Sequence, residues 1–151
     1  MLSLIGSFKA IFTVMSEAQK LILIIDDDSN LQEILSLKLT KLGFSVDQAK
    51  DGPSGIEKAK KKRPDLILLD VNMPGMSGIQ VLSKIKSDPE TKDLKVIFLT
   101  NFGEVQEENS WVDDKFAKEA GALGHIKKTD DLDKIVARIQ QELTQQITSK
   151  P

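Results

Sequence analysis

The apolar run Leu21-Ile-Leu-Ile-Ile25 ends abruptly in three carboxylates, Asp26, Asp27 and Asp28. Leu66-Ile-Leu-Leu69 ends in Asp70, and Val96-Ile-Phe-Leu99 ends in Thr100. Residues 122–126 lead into Lys127 and Lys128. Folding alone does not call for these polar residues. Carboxylates that converge repel one another and retain protons unless a cation lies between them. A hard divalent ion with oxygen ligands meets that need. Magnesium suits one or two carboxylates, several waters and a phosphate oxygen. A lysine and a hydroxyl can hold the remaining phosphoryl oxygens. An aspartate can also be the nucleophile and become an acyl phosphate. The chemistry suggested is phosphoryl transfer, which needs chiefly positioning and charge neutralisation.

Whether these residues meet depends on the elements that carry them. The runs at 21–25, 66–69 and 96–99 are short and unbroken, as strands buried on both faces are. Leu31, Ile34, Leu35, Leu39 and Leu42 recur at helical spacing, and Gly43 stands where a C-terminal cap belongs. Weak alternation over residues 44–49 predicts a strand. Asp51-Gly52-Pro53 opens a helix that reaches about Lys62. Ile79, Leu82 and Ile85 mark a third helix, and residues 112–120, closed by Gly121, a fourth. Residues 122–126 predict the fifth strand. Leu132, Ile135, Val136, Ile139, Leu143 and Ile147 mark the last helix. The order is (βα) five times, an α/β fold with a parallel sheet covered on both faces. In such sheets ligands bind beyond the carboxyl ends of the strands. The sheet would therefore gather three carboxylates, the Thr100 hydroxyl and a lysine in one pocket.

Composition narrows the alternatives. The 151-residue chain has no cysteine and one histidine, His125. That excludes disulfide frameworks, thiolate and multi-histidine metal sites, and cysteine nucleophiles. Twenty-one basic residues against 23 acidic ones give a net charge of −2, which argues against direct nucleic-acid binding. The longest unbroken apolar run falls far short of the ~20 residues of a membrane-crossing helix. Residues 1–15 lack the basic start and clean apolar centre of a secretion signal. A cytoplasmic protein without a membrane span is expected.

The segments Ile-Ile-Asp26-Asp27-Asp28, Leu-Leu-Asp70-Val-Asn72-Met73-Pro74-Gly75-Met-Ser-Gly78, Phe-Leu-Thr100 and Gly121-Ala-Leu-Gly-His-Ile-Lys-Lys128 together resemble the receiver domain of two-component response regulators, in its stand-alone, chemotaxis-regulator-like form. The resemblance spans about residues 20–147 and is most specific in Asp-x-Asn-Met-Pro-Gly-x-x-Gly. It implies a flavodoxin-like, doubly wound five-stranded sheet in the order 2-1-3-4-5. It implies that Asp70 accepts a phosphoryl group from a histidine kinase or phosphotransfer protein. The implied magnesium ligands are the carboxylates of Asp27 and Asp70 and the backbone carbonyl of Asn72, with Asp26 in support, partly through water. Thr100 matches the switch hydroxyl that moves to the phosphoryl group. Lys128 rather than Lys127 matches the lysine that pairs with it, because it stands seven residues after Gly121.

This chain departs from the family pattern in four places. Thr129 follows the lysine where most receivers have proline. Asn101 follows Thr100 where a small residue is usual. His125 replaces the aromatic that commonly reports switching. The segment from Thr100 to Gly121 is long and acidic and carries Trp111, the only tryptophan. Phe102 stands where the family can place an attacking water, and an apolar side chain there implies slow dephosphorylation.

The expected organisation is an extension over residues 1–19, the receiver over 20–147 and a tail over 148–151. Only four residues follow Ile147, so output is expected through an unknown downstream protein. Leu4, Phe8, Ile11 and Met15 share a helical face that could dock on the domain or on a membrane surface. A plain extension, or a true start at Met15, are the other readings. Two alternative functions stand beside the switch. An aspartyl phosphatase of the haloacid-dehalogenase type is suggested by Asp26-x-Asp28, but it would leave Asp70 without a role. A scaffold that is never phosphorylated is suggested by Thr129 and Asn101. The plain structural reading of the acidic run is helix capping by Asp28 or Ser29. Trp111 is expected to pack, and the acidic segment to be a solvated face.

Overall fold

The computed structural model describes residues 19–101 and 112–148. The expectations placed on residues 1–18, Phe102, Trp111 and most of the acidic segment lie outside these residues. The uniformly apolar runs form strands β1 (Leu21–Ile25), β3 (Leu66–Asp70) and β4 (Val96–Thr100), joined by β2 (Ser45–Ala49) and the short β5 (His125–Lys127). All are parallel, in the order β2-β1-β3-β4-β5. This is the order implied by the resemblance. Helices α1 (Ser29–Lys41), α2 (Gly52–Lys62), α3 (Gly78–Ser87), α4 (Asp114–Ala120) and α5 (Leu132–Thr148) fill the connections.

Strand side chains alternate between faces, so a strand covered on both sides feeds two cores. Ile22, Ile24, Leu66, Leu68, Ile97 and Leu99 pack with Leu35 and Leu39 of α1 and with Ile135, Val136, Ile139 and Leu143 of α5. Leu23, Ile25, Ile67, Leu69, Val96 and Phe98 pack with Ala59 of α2, Val81, Leu82 and Ile85 of α3, and Ala117 of α4. Each buried Leu or Ile side chain contributes about 1.5–3 kcal/mol. That fixes the sheet, and with it the positions of the residues just past the strand ends.

The helices start where their caps stand. Asp28 Oδ1 accepts from the N–H groups of Asn30 and Leu31 at 3.0 and 3.2 Å, so the capping reading of Asp28 holds. Asp51 caps α2 and Asp113 caps α4, while Ser77 and Gln80 form a reciprocal capping box on α3. Gly78 opens α3 with its N–H 2.8 Å from the carbonyl of Val71. A Cβ at this position would collide with the carbonyl oxygen of Asp70, so only glycine lets the helix approach that strand end.

Two boundaries and one helix face differ from the sequence reading. Helix α4 begins at Asp114, because Asp113 is its cap. Strand β5 begins at His125, not at residue 122. Gly121 closes α4 at φ 103° and the Ala122 N–H still turns back to Ala117, so the ladder starts late. Ile34 and Leu42 are 52% and 43% exposed. The buried face of α1 is the narrower set Gln32, Leu35 and Leu39. Helix α1 lies over the edge strand β2 with α5 as its helical neighbour, and among the described residues its outer half is left exposed at Ile34, Leu37 and Leu42.

Candidate functional site

Strands β1 and β3 are neighbours, and Ile25 pairs with Leu69. The next residues, Asp26 and Asp70, therefore emerge side by side at the carboxyl edge of the sheet. Both are almost fully buried, while Asp27 is exposed at the mouth. One carboxylate oxygen from each of Asp26, Asp27 and Asp70 lies within 4.8 Å of the others. Lys128, one residue beyond β5, reaches across with Nζ 2.7 Å from Asp26 Oδ2 and 3.1 Å from Asp70 Oδ1. Its backbone N–H donates to the carbonyl of Thr100 at 2.8 Å, which anchors the strand end. Lys127 belongs to β5, in register with Thr100. Thr129 in place of proline does not prevent this placement of Lys128.

The electrostatics follow from burial. Removal from water and the neighbouring Asp26 carboxylate push the Asp70 carboxyl up to about 8, against the opposing pull of Lys128. Asp26 is raised too, first by burial, with Lys128 and the Asp28 N–H acting against the rise. Burial pulls Lys128 down, but the two carboxylates outweigh it, and its pKa stays raised. One ammonium thus faces three carboxylates. Asp26 Oδ1 accepts from the Asp28 N–H at 2.9 Å. Asp26 Oδ2 is buried, and the Lys128 ammonium at 2.7 Å is its counter-charge. A cup with three converging carboxylates against one ammonium, and oxygen donors throughout, fits a small hard cation.

The other expected site residues take distinct places. The Asn72 N–H donates to Asp70 Oδ1 at 3.3 Å, so the residue lies against the central carboxylate. Thr100 is buried, and its hydroxyl donates to the Ile126 carbonyl on β5 at 3.4 Å. It closes β4 at the same sheet edge, with its hydroxyl engaged by β5. His125 lies outside the cup, with Nδ1 2.7 Å from Asp114 Oδ1. This agrees with its reading as a strand residue and not a ligand. A groove of about 830 Å³ between α2 and α3 is lined by Pro53, Pro74, Met76 and Gln80, and none of the cup's carboxylates lines it.

Gln32 escaped the sequence reading. It is 2% exposed, and its Nε2 donates to the carbonyls of Asp26 at 2.5 Å and Ala49 at 2.7 Å. The signal was available, since Gln32 stands three residues before Leu35 and seven before Leu39, as a polar residue on the apolar face of α1.

An open parallel sheet whose carboxyl edge holds paired acids, a third strand-end aspartate and a facing lysine defines the class of receiver proteins. The chain belongs to that class: the model of the response regulator receiver domain family matches residues 22–140. Among its relatives is the sporulation initiation phosphotransferase F of Bacillus subtilis, 36% identical over 125 residues, which are 81% of this chain and 92% of that protein. The DNA-binding dual master transcriptional regulator RpaA of Synechocystis is 34% identical over 119 residues, 79% of this chain and 47% of the relative. The chain therefore spans about half the length of RpaA. A CheY-like receiver domain protein from Methanospirillum hungatei superposes with a TM-score of 0.74 at 27% identity, over 87% of this chain and 99% of that one. The CheX–CheY–BeF3–Mg complex from Borrelia burgdorferi contains a match at TM-score 0.69 and 31% identity, over 81% and 87% of the two chains. Among the described residues no helix is long and apolar enough to cross a membrane.

Proposed function

We propose that this protein is a phosphorylation-dependent signalling switch in which Asp70 accepts the phosphoryl group of a phosphohistidine on a kinase or phosphotransfer protein. The observation that carries this reading is the convergence of Asp26, Asp27, Asp70 and Lys128 at one sheet edge. The Asp70 carboxylate attacks phosphorus, the P–N bond breaks, and its electron pair returns to the imidazole, which takes up a proton. The product is an acyl phosphate on Asp70. Magnesium, held by Asp27, Asp70 and the Asn72 carbonyl with Asp26 in support, would supply charge neutralisation. The donor set supports that cation, as does a similar chain solved with magnesium. Lys128, already beside Asp70, pairs with a phosphoryl oxygen.

Thr100 then leaves the Ile126 carbonyl and donates to another phosphoryl oxygen. Because that carbonyl belongs to β5, the change is felt on the surface of α4, β5 and α5, where a second protein reads it. The receiver unit in this reading is residues 20–147. The protein acts in the cytoplasm, where ATP-charged kinases operate, and it is not a turnover enzyme. The test is the intact mass after incubation with magnesium and a small acyl-phosphate donor. A single phosphoryl adduct is expected, absent in Asp70→Ala. Continuous release of phosphate from many esters would instead identify a phosphatase. No adduct would identify a scaffold that binds partners unphosphorylated.

A further inference from the structure

Two of the cup's acids, the buried Asp26 and the exposed Asp27, are joined by one peptide. Its plane is fixed by wherever the Asp26 carbonyl points, since peptide units are rigid and planar. Strand β1 ends at Ile25, paired with Ala49, so the Asp26 carbonyl lies beyond the sheet ladder. It is met instead by Gln32 Nε2 at 2.5 Å, and the same amide donates to the Ala49 carbonyl at 2.7 Å. The Asp26 N–H also reaches Ala49 O, at 3.0 Å. One buried side-chain amide therefore ties the acidic loop to the edge strand β2 through both of its N–H donors. The arrangement leaves Gln32 Oε1 buried without a partner. An unsatisfied buried acceptor opposes folding, and an apolar residue beside Leu35 and Leu39 would avoid it.

We propose that Gln32 is the positioning residue of the cup. Its amide fixes the peptide that aims the Asp26 and Asp27 carboxylates at the cation. This inference rests on the proposed cation site and adds a residue from the interior of α1 to it. The Gln32 amide donates to the Asp26 and Ala49 carbonyls and not to Asp70. Its loss should therefore weaken magnesium binding while leaving the acceptor in place.

The experiment is a calorimetric titration of the full chain with magnesium alone. In Gln32→Met, which keeps the length of the side chain and removes the donors, the dissociation constant is expected to rise by about tenfold or more. Excess magnesium should then recover the rate of labelling by a small phosphodonor. Leu39→Ala, in the same buried stripe of α1, controls for a loosened helix and should bind magnesium as the wild type does. Unchanged affinity in a folded Gln32→Met protein overturns the inference, as does an equal loss in Leu39→Ala. Should Gln32→Met not fold, the wild type still decides. The Gln32 side-chain amide protons should exchange slowly by NMR and shift on magnesium addition. Fast exchange, or no shift while magnesium binds, overturns the proposal. A wild type that binds no magnesium at all removes the cation site itself, and this inference with it.

Discussion

Asp47 and Asp70 both sit against lysines, and their carboxyls are driven in opposite directions. Asp47 on β2 has Lys58 Nζ 3.0 Å from Oδ1 and Lys62 Nζ 2.6 Å from Oδ2. Burial works to raise it, but the two ammonium groups win and hold it at about 2. Asp70 has one lysine and two acidic neighbours, and it is pushed to about 8. The partner lysines of Asp47 are 38% and 53% exposed, whereas the Lys128 side chain is 9% exposed. At the sheet margin, cations outnumber the acid and water is near, so the cluster is a satisfied ion pair. At the carboxyl edge, acids outnumber the cation, and Asp26, Asp70 and Lys128 are buried. That centre is left short of positive charge, which suits a carboxylate whose task is to receive a divalent ion and a phosphoryl group.

The sharpest way to break this contrast is to remove one lysine from each cluster. Lys128→Met leaves Asp26 and Asp70 buried with no cation. Removing one partner of a buried charge group costs about 3–5 kcal/mol, and proton uptake by the carboxyls should hold the loss near the lower end. Lys62→Met leaves Lys58 in place on a wetter site, and exposed pairs are worth about 1 kcal/mol or less. Urea unfolding at pH 7 without magnesium measures both. Equal losses would mean that the two clusters are the same kind of feature.

The central acid should show a smaller effect of opposite sign. With Asp70 raised to about 8 in the folded protein against 3.8 in the unfolded chain, the native state holds the extra proton between those values. Stability from this group is complete below about pH 4 and is lost as pH rises through about 8. Asp70→Asn carries no such charge. It should leave stability near pH 4 unchanged and raise it near pH 8 by at least the ~1.4 kcal/mol that a single relieved pKa unit carries. Magnesium should shrink the difference by giving the wild-type carboxylate a partner. Thermal melts at both pH values, with and without the ion, check this. A destabilised Asp70→Asn at pH 8 in magnesium-free buffer would show that the carboxylate is already satisfied.

Much of this arrangement was legible before any coordinates. Strands such as Leu66–Asp70 and Val96–Thr100 are buried at every residue, so their apolar runs were plain and the polar residue closing each run stood out. The strand order came from resemblance, because periodicity does not say which strands are neighbours. The start of β5 was misplaced because the Ala122 N–H closes the α4 turn instead of joining the sheet. Ile34 matched the helical stripe of α1 yet is exposed, since spacing alone does not show how much of a helix its neighbours cover. Gln32 and the Asp47 cluster were missed for a common reason. Their partners, the Asp26 and Ala49 carbonyls in one case and Lys58 and Lys62 in the other, become neighbours only once an edge strand and a helix are docked together.

Asp47→Asn sharpens the comparison from the other side. The folded pKa is depressed to about 2, so this group adds stability above its unfolded value near 3.8 and loses it as pH falls through about 2. The shift overstates the energy at neutral pH, because both lysines are more than one-third exposed and solvent screens the pairs. Replacing the carboxylate by an amide of the same shape should therefore cost about 1 kcal/mol or less at pH 7. The cost should shrink further in 1 M salt, where the Debye length falls to about 3 Å. Between pH 4 and pH 2 the wild type should lose this advantage, and the two proteins should converge. Asp70→Asn and wild type, by contrast, converge near pH 4 and separate as pH rises. Parallel melts of the two variants across pH 2 to 9 should show slopes of opposite sign, and a shared sign would dissolve the distinction between structural pair and reactive cup.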